Sequence, residues 1–457
     1  MQNWLLLAAS YYFYSVANWK MCILLLVATI VFYIIGLQID KYNEKNDKTA
    51  SVFTTIGVLC GIGLLLYFKY LNFFIQSFAD LFNLFGLHCN PTTFNIIFPI
   101  GISFFTFRLI GYVLEIRNEE IGGTRNFIDF ATFVAFFPTI MSGPIDRPKS
   151  FIPQLQKERV WNGQQITQGL QQILWGVFKK MVIADNLAVV LNDAFANTEL
   201  SGSTCLLAML LYPIQIYADF SGYSDMAIGV AKLMGIKVAM NFRYPFFARN
   251  ISDFWRRWHI SLTEWVTDYV FMPLNFTFRK MAKWGMCLAI IINLVVVGIW
   301  HGANWTYIVF GLYHGLLFVP LVLSGSMSDT SDVKVTRHDI PYWNEMIKMF
   351  LTFLLVSIGS VFFREPSLAE TMGFYGQIFQ PSLLSIPRFI GKNNAIFLVM
   401  IPYIIFLTIV DWRGRKKECP VFLENGHGIK AFLLYLFLVS SIWFLGANSD
   451  SFIYFQF

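Results

Sequence analysis

Charge is what this sequence has least of. Only 14% of its 457 residues are Asp, Glu, Lys or Arg, where a soluble domain carries about 25%. The shortage excludes an ordinary water-soluble globule. The six cysteines, Cys22, Cys60, Cys89, Cys205, Cys287 and Cys419, form no CxxC pair and no metal-ligand spacing. No disulfide framework and no metal site is therefore predicted. Cys22, Cys60, Cys205 and Cys287 lie in apolar runs and read as small hydrophobes. The net charge of +6 is small and spread over loops, so it points to lipid headgroups and not to nucleic acid. No basic segment precedes the apolar start Met1-Gln2-Asn3-Trp4-Leu5, which argues against a cleaved signal peptide and for a first span that is retained or truncated. HExxH, Walker, GxSxG and Rossmann patterns are all missing, so serine-hydrolase and nucleotide-driven mechanisms lack support.

What is there is apolar. Hydrophobic residues make up 56% of the chain and aromatics 18%, in repeated runs near the 20 residues a membrane crossing needs. Runs fall near residues 4–17, 20–39, 52–71, 95–114, 127–142, 166–184, 205–217, 286–300, 303–323, 346–363, 395–410 and 430–446. The expected fold is an all-α polytopic membrane protein, one transmembrane domain over residues 1–457. It has ten to twelve crossings, and the shorter runs are tilted, re-entrant or broken. Arg243, Arg249, Arg256 and Arg257, then Arg279, Lys280 and Lys283, then Arg413, Arg415, Lys416 and Lys417 belong on the cytoplasmic side by the positive-inside rule. The longest polar connection, residues 324–344, carries Asp329, Asp332, Lys334, Arg337, His338 and Asp339.

Three stretches place polar groups among apolar ones. In Asp253-Phe254-Trp255-Arg256-Arg257-Trp258-His259, arginines could hold a phosphate-bearing donor. Composition favours the plainer reading, an interfacial helix with snorkelling arginines and a tryptophan belt. In Tyr217-Ala218-Asp219-Phe220-Ser221-Gly222-Tyr223-Ser224-Asp225, two acids six residues apart would point to different sides of a straight helix. Gly222 allows a break. The acids either line a reaction chamber or pair with arginines to hold helices together.

The third is Trp300-His301-Gly302-Ala303-Asn304-Trp305. Residues 286–323 would make one helix of roughly 57 Å at 1.5 Å per residue, against a hydrocarbon core of about 30 Å. The run must be two helices broken at this point. Residues 286–299 span roughly 21 Å, short of a crossing, which places His301 at depth. Histidine suits proton transfer near neutral pH, and a hydrogen-bonded packing role is the alternative. His314, thirteen residues on, is expected to line the same cavity, while His88, His338 and His427 are read as solvated loop residues.

Taken together these stretches resemble the membrane-bound O-acyltransferases of the bacterial alginate O-acetylase type. The likeness also rests on Phe98-Pro99-Ile100-Gly101-Ile102-Ser103-Phe104-Phe105, Phe136-Phe137-Pro138 with Gly143-Pro144-Ile145, and the closing Phe452-Ile453-Tyr454-Phe455-Gln456-Phe457. The resemblance implies a multi-helix bundle enclosing a transmembrane tunnel in a bacterial inner membrane. It implies acyl transfer, often acetyl, from acyl-CoA or an acyl carrier on the cytoplasmic side to a hydroxyl of an extracytoplasmic polysaccharide. No cofactor is permanently bound. An SGNH-type acetyltransferase and polysaccharide machinery are the implied partners. His301 takes the place of the essential histidine and His259 that of the second motif histidine. Arg256, Arg257, Trp258, Trp300, Asn304, Asp219, Ser221, Tyr223 and Asp225 are expected to bind donor or line the tunnel. Relatives carry a further hydrophobic segment before the residues that match Trp4. They also read proline-leucine-glycine-glycine where this chain has Pro273-Leu274-Asn275-Phe276, which leaves the loop's shape open. Two other readings stand beside this one: a transporter or flippase for a glycan or lipid precursor, supported by span count and intramembrane acids, and a non-catalytic export scaffold.

Overall fold

A computed structural model of the chain describes residues 1–88, 90–327, 333–422 and 428–447. Cys89, Asp329, Asp332, His427 and the closing residues 452–457 lie outside the described residues. Among those described, the structure is helical, with two isolated β-bridges, Phe242 to Trp258 and Val335 to Pro341. Seven helices among the described residues are long and apolar enough to cross a membrane: Trp19–Asn43, Asp47–Leu84, Gly202–Leu233, Arg279–His301, Trp305–Ser324, Trp343–Arg364 and Lys392–Gly414. The chain is a multi-pass membrane protein. Other apolar runs form shorter helices, such as Gln2–Ala17, Ile102–Arg117 and Ile429–Leu445. The run at 127–142 is broken into Phe127–Ala135 and Phe137–Ile140, because Pro138 has no N–H to continue the ladder.

Helix starts follow local chemistry. Asn18, Asn46 and Asn250 each accept a backbone N–H in the first turn, satisfying donors that would otherwise be orphaned in lipid. Ser367 caps its helix by accepting Glu370 N at 3.2 Å, and its hydroxyl donates to Glu370 Oε2 at 2.9 Å.

The chain divides into two compact units. The first comprises Met1–Gly169 with Val230–Ala239. Within it Trp19–Asn43, Asp47–Leu65 and Ile102–Arg117 pack together over buried Tyr112, Phe130, Phe133 and Phe136. Arg108, fully buried there, donates to Phe133 O, Val134 O and Pro144 O and pairs with Asp146 at 3.5 Å.

The second unit comprises Leu170–Gly229 with Met240–Phe457 and holds every residue singled out above for chemistry. Its core includes Trp175, Phe178, Tyr212, Leu407 and Leu438. It also contains an antiparallel hairpin of Ala282–His301 and Trp305–Ser324. Glycine lets the two backbones approach closely. A Cβ on Gly298 would lie 2.1 Å from Tyr307 O, and one on Gly311 2.3 Å from Leu294 O. Small residues at such crossings are how helices gain contact in lipid. The first arm begins earlier than its apolar run. It takes in Lys283, whose Nζ donates to Leu323 O at 2.6 Å. Its 20 residues therefore rise roughly 30 Å, a full crossing, so His301 is not left at depth by a short helix. Polar contacts also tie loops of this unit to its helices. Arg256 donates to Met327 O at 2.6 Å, Arg415 pairs with Asp339, and Tyr244 Oη donates to Lys417 O at 3.2 Å.

Valine in place of Gly311 forces a β-branched side chain into a backbone carbonyl. The expected loss is about 1–3 kcal/mol, read as a lowered thermal unfolding midpoint of the detergent-solubilised protein against wild type.

Candidate functional site

The break in the hairpin falls where the length arithmetic puts it. Ala282–His301 ends on His301, Gly302 is extended, and Asn304 caps the next helix by accepting Thr306 N at 3.0 Å. The Asn304 amide also donates to Pro366 O at 2.7 Å. Both ends of that side chain are thus engaged in local structure, and Asn304 does not line the cavity beside His301. His301 is 6% exposed. Its ring lies 4.9 Å from Phe363, 5.0 Å from Trp300 and 6.4 Å from Phe310 between centroids.

His259 reaches the same place from a different element. The stretch Ile251–Val266 is not the single interfacial helix that its composition favours. It forms two short helices, Ile251–Trp255 and Ile260–Val266, broken at His259, which takes a left-handed conformation at φ 45°. Histidine is among the few side chains enriched there. Asn241, fully buried, holds the break. Its carbonyl accepts Ile260 N at 2.9 Å, and its side chain accepts Ser261 Oγ at 2.6 Å. Phe254, Trp255 and His259 are buried, so no tryptophan belt forms at this point.

The His259 ring stands 6.3 Å from that of His301, 5.4 Å from Trp300 and 4.7 Å from Phe220. Burial pushes the His259 imidazole down from the ordinary 6.5 to about 3. It is therefore neutral at physiological pH. The 41 positions between the two histidines carry no distance information. Tertiary packing brings the rings together.

The arginines sit close by and are partly engaged. Arg257 Nε donates to Asp253 Oδ1 at 2.7 Å, and Arg256 donates to Ser252 Oγ at 2.8 Å. Three residues span at most about 11 Å, so Arg256 lies within that reach of His259 while remaining exposed. Trp258 stacks on Phe254 at 5.4 Å and lines the cavity beside His301.

The acidic stretch is not broken. Gly202–Leu233 runs as one 32-residue helix through Gly222. The glycine serves close approach instead, since a Cβ there would meet Gly176 O at 2.8 Å. Asp219 and Asp225 do face different sides, and their partners are lysines, not arginines. Lys180 pairs with Asp219 at 2.7 Å, and Lys179 with Asp225 at 2.6 Å. Ser221 accepts Lys179 Nζ at 2.7 Å, and Gln172 donates to Asp225 at 2.7 Å. Tyr223, half-buried, lies on the same helix. Lys179, Ser221 and Asp225 line a polar cleft with Tyr217, whose hydroxyl donates to Asp411 at 2.7 Å. Sequence reading missed Lys179, Lys180 and Asp411. The signal was available: two adjacent lysines interrupt the apolar run at 166–184, and an ionisable group inside such a run calls for a partner.

His314 does line the cavity that His301 lines, with Trp255, Phe310 and Phe363. The stretch Met272–Thr277, which lacks the glycines expected of relatives, is helical. Among the described residues no group of three His, Cys, Asp or Glu gathers as a metal site.

The model of the MBOAT, membrane-bound O-acyltransferase, family matches residues 6–363. A probable alginate O-acetylase of Pseudomonas putida is 35% identical over all of this chain and 94% of its own length. The peptidoglycan O-acetyltransferase of Helicobacter pylori is 32% identical over 81% of this chain and 72% of its own. A teichoic acid D-alanyltransferase of Bacillus subtilis is 34% identical over 59% and 69% respectively.

Two outcomes follow. The folded state binds no proton at His259 above about pH 3, whereas the unfolded chain does below about 6.5. Stability is therefore full above pH 6.5 and declines as pH falls, by about 2 kcal/mol at pH 5. Unfolding midpoints measured from pH 7 to 5 should fall less steeply in His259→Gln than in wild type. Lys179→Ala strands the Asp225 carboxylate and should cost about 3 kcal/mol, read in the same unfolding assay, with Asp225→Asn in the same chain restoring part of the loss.

Proposed function

The chain belongs to the membrane-bound O-acyltransferase family, and from that premise we propose that it carries a short acyl group from a cytoplasmic thioester to a hydroxyl of an extracytoplasmic polysaccharide. It is a membrane acyltransferase. The finer reading takes acyl-CoA, above all acetyl-CoA, or an acyl carrier as donor. It takes a bacterial inner membrane as the location. The acceptor is reached directly or through an SGNH-type partner acetyltransferase. The alginate and peptidoglycan acetylating relatives support a glycan acceptor.

The observation that carries this reading is the meeting of His259 and His301, 6.3 Å apart, in a buried aromatic setting. His301 serves as general base, taking the proton of the acceptor hydroxyl as its oxygen attacks the thioester carbonyl. Neutral His259 orients the reacting groups without introducing a second charge. The surrounding rings of Trp300, Phe310 and Phe363 exclude water, which would otherwise hydrolyse the thioester. Arg256, with its exposed side chain, is the group best disposed to meet donor phosphates.

His301→Ala, compared at matched protein level in membranes, should lower acyl-ester formation on surface glycan by at least about 100-fold, the lower end of what a positioned acid-base group contributes. Retained transfer in that variant sinks the assignment.

A further inference from the structure

One cavity of the second unit contains more chemistry than the pair of histidines uses. It is lined by His301, His314, Trp255, Phe310, Phe363 and Ser360, among others. Trp255 is 4% exposed and His314 1%. The two rings meet edge to face at 5.4 Å, and Phe310 stands 4.6 Å from His314 and 6.4 Å from His301. Trp255 Nε1 and His314 Nδ1 are both buried without a hydrogen-bond partner. An indole N–H can only donate, and a buried donor left unmade costs about 1–3 kcal/mol. Neutral imidazole carries one N–H; with it on Nδ1, His314 joins Trp255 in calling for an acceptor that arrives from outside.

The cavity limits what that acceptor can belong to. Its volume is about 40 Å³, while one water-sized group needs about 10–15 Å³. It therefore holds only a few such groups, which favours a short acyl unit over a long one. Its walls are otherwise aromatic and aliphatic, with Pro213, Ile216 and Val356, which suits a methyl group and not a charged one.

We propose that this cavity is the acyl chamber of the enzyme, sized for a short acyl unit, and that Trp255 Nε1–H and His314 hold the carbonyl oxygen of the donor thioester. The inference rests on the reading of His301 as the base. The steps balance as follows. The acceptor O–H gives its proton to His301, and its oxygen bonds to the carbonyl carbon. The carbonyl π pair moves onto oxygen, where Trp255 and His314 stabilise it. The pair then re-forms the C=O bond, the C–S bond breaks, and the departing thiolate takes the proton from His301. The products are an ester and a free thiol. Trp255 and His314 are on this reading catalytic residues, and Phe310 sets chain length.

The test uses inverted membrane vesicles containing the full chain at matched levels, supplied with acetyl-, propionyl- or butyryl-CoA, with base-labile acyl ester as the readout. Trp255→Phe keeps the aromatic packing and removes the donor. Its kcat with acetyl-CoA should fall about 100-fold with KM little changed, the signature of a group acting in the transition state. Phe310→Ala, which enlarges the chamber, should shift preference from acetyl towards butyryl by about tenfold or more, the effect of a methylene in a shaped pocket. Transfer abolished in His301→Ala but unaltered in Trp255→Phe, with unaltered chain-length preference in Phe310→Ala, overturns the chamber and leaves the base standing. Transfer that persists in His301→Ala overturns the reading beneath it instead.

Discussion

The close approach of two helix backbones at Gly298 and Gly311 is the constraint on which the candidate site depends. Lipid offers no hydrophobic drive for helix association, so Ala282–His301 and Trp305–Ser324 hold together by contact. Contact at this range requires that no Cβ intervene between Gly298 and Tyr307 O, or between Gly311 and Leu294 O. The hairpin sets where the first helix must stop, and it stops on His301. It also sets the register of Phe310 and His314, which share a cavity with His301. Any separation of the two arms would displace all three rings together.

A second device brings His259 to that hairpin. Residues 241–243 bridge to residues 257–260 through Ile260 N to Asn241 O and Arg243 N to Arg257 O, and Asn241 anchors Ser261 as well. The left-handed turn at His259 is the result of this pairing. It directs a neutral imidazole inward while Arg256, three residues earlier, stays exposed. The element thus joins a charged, accessible end to a buried, uncharged one, as transfer from a charged cytoplasmic donor would require. The paired charges of Lys179 with Asp225 and Lys180 with Asp219 lie elsewhere in the same unit. Adjacent lysines turn through roughly 100° on a helix, and aspartates six apart differ by a similar angle, so two ion pairs fit one helix-helix contact.

Much of the fold was legible in the residues. The apolar runs correspond to helices from Gln2–Ala17 through to Ile429–Leu445, because lipid forces backbone hydrogen bonds to close within each segment. The break at 300–305 followed from length alone. Less legible was the start of Ala282–His301, since Lys283 satisfies its charge on Leu323 O and so enters a helix that hydropathy would begin later. Gly222 read as a break and proved to be a contact. The lysine partners of the two aspartates went unread because hydropathy averaged them into a long apolar run.

Composition and run length alone determined that this chain is an all-helical membrane protein and that a helix breaks between Trp300 and Trp305, because both depend on chemistry within a few turns of chain. Family likeness singled out His259 and His301 as a pair. Only the tertiary structure decided that the two rings stand 6.3 Å apart, that Asn304 caps a helix, and that Trp255 and His314 share the cavity. These are relations between segments far apart in sequence, set by side-chain volume and backbone approach, and helical periodicity carries no record of them.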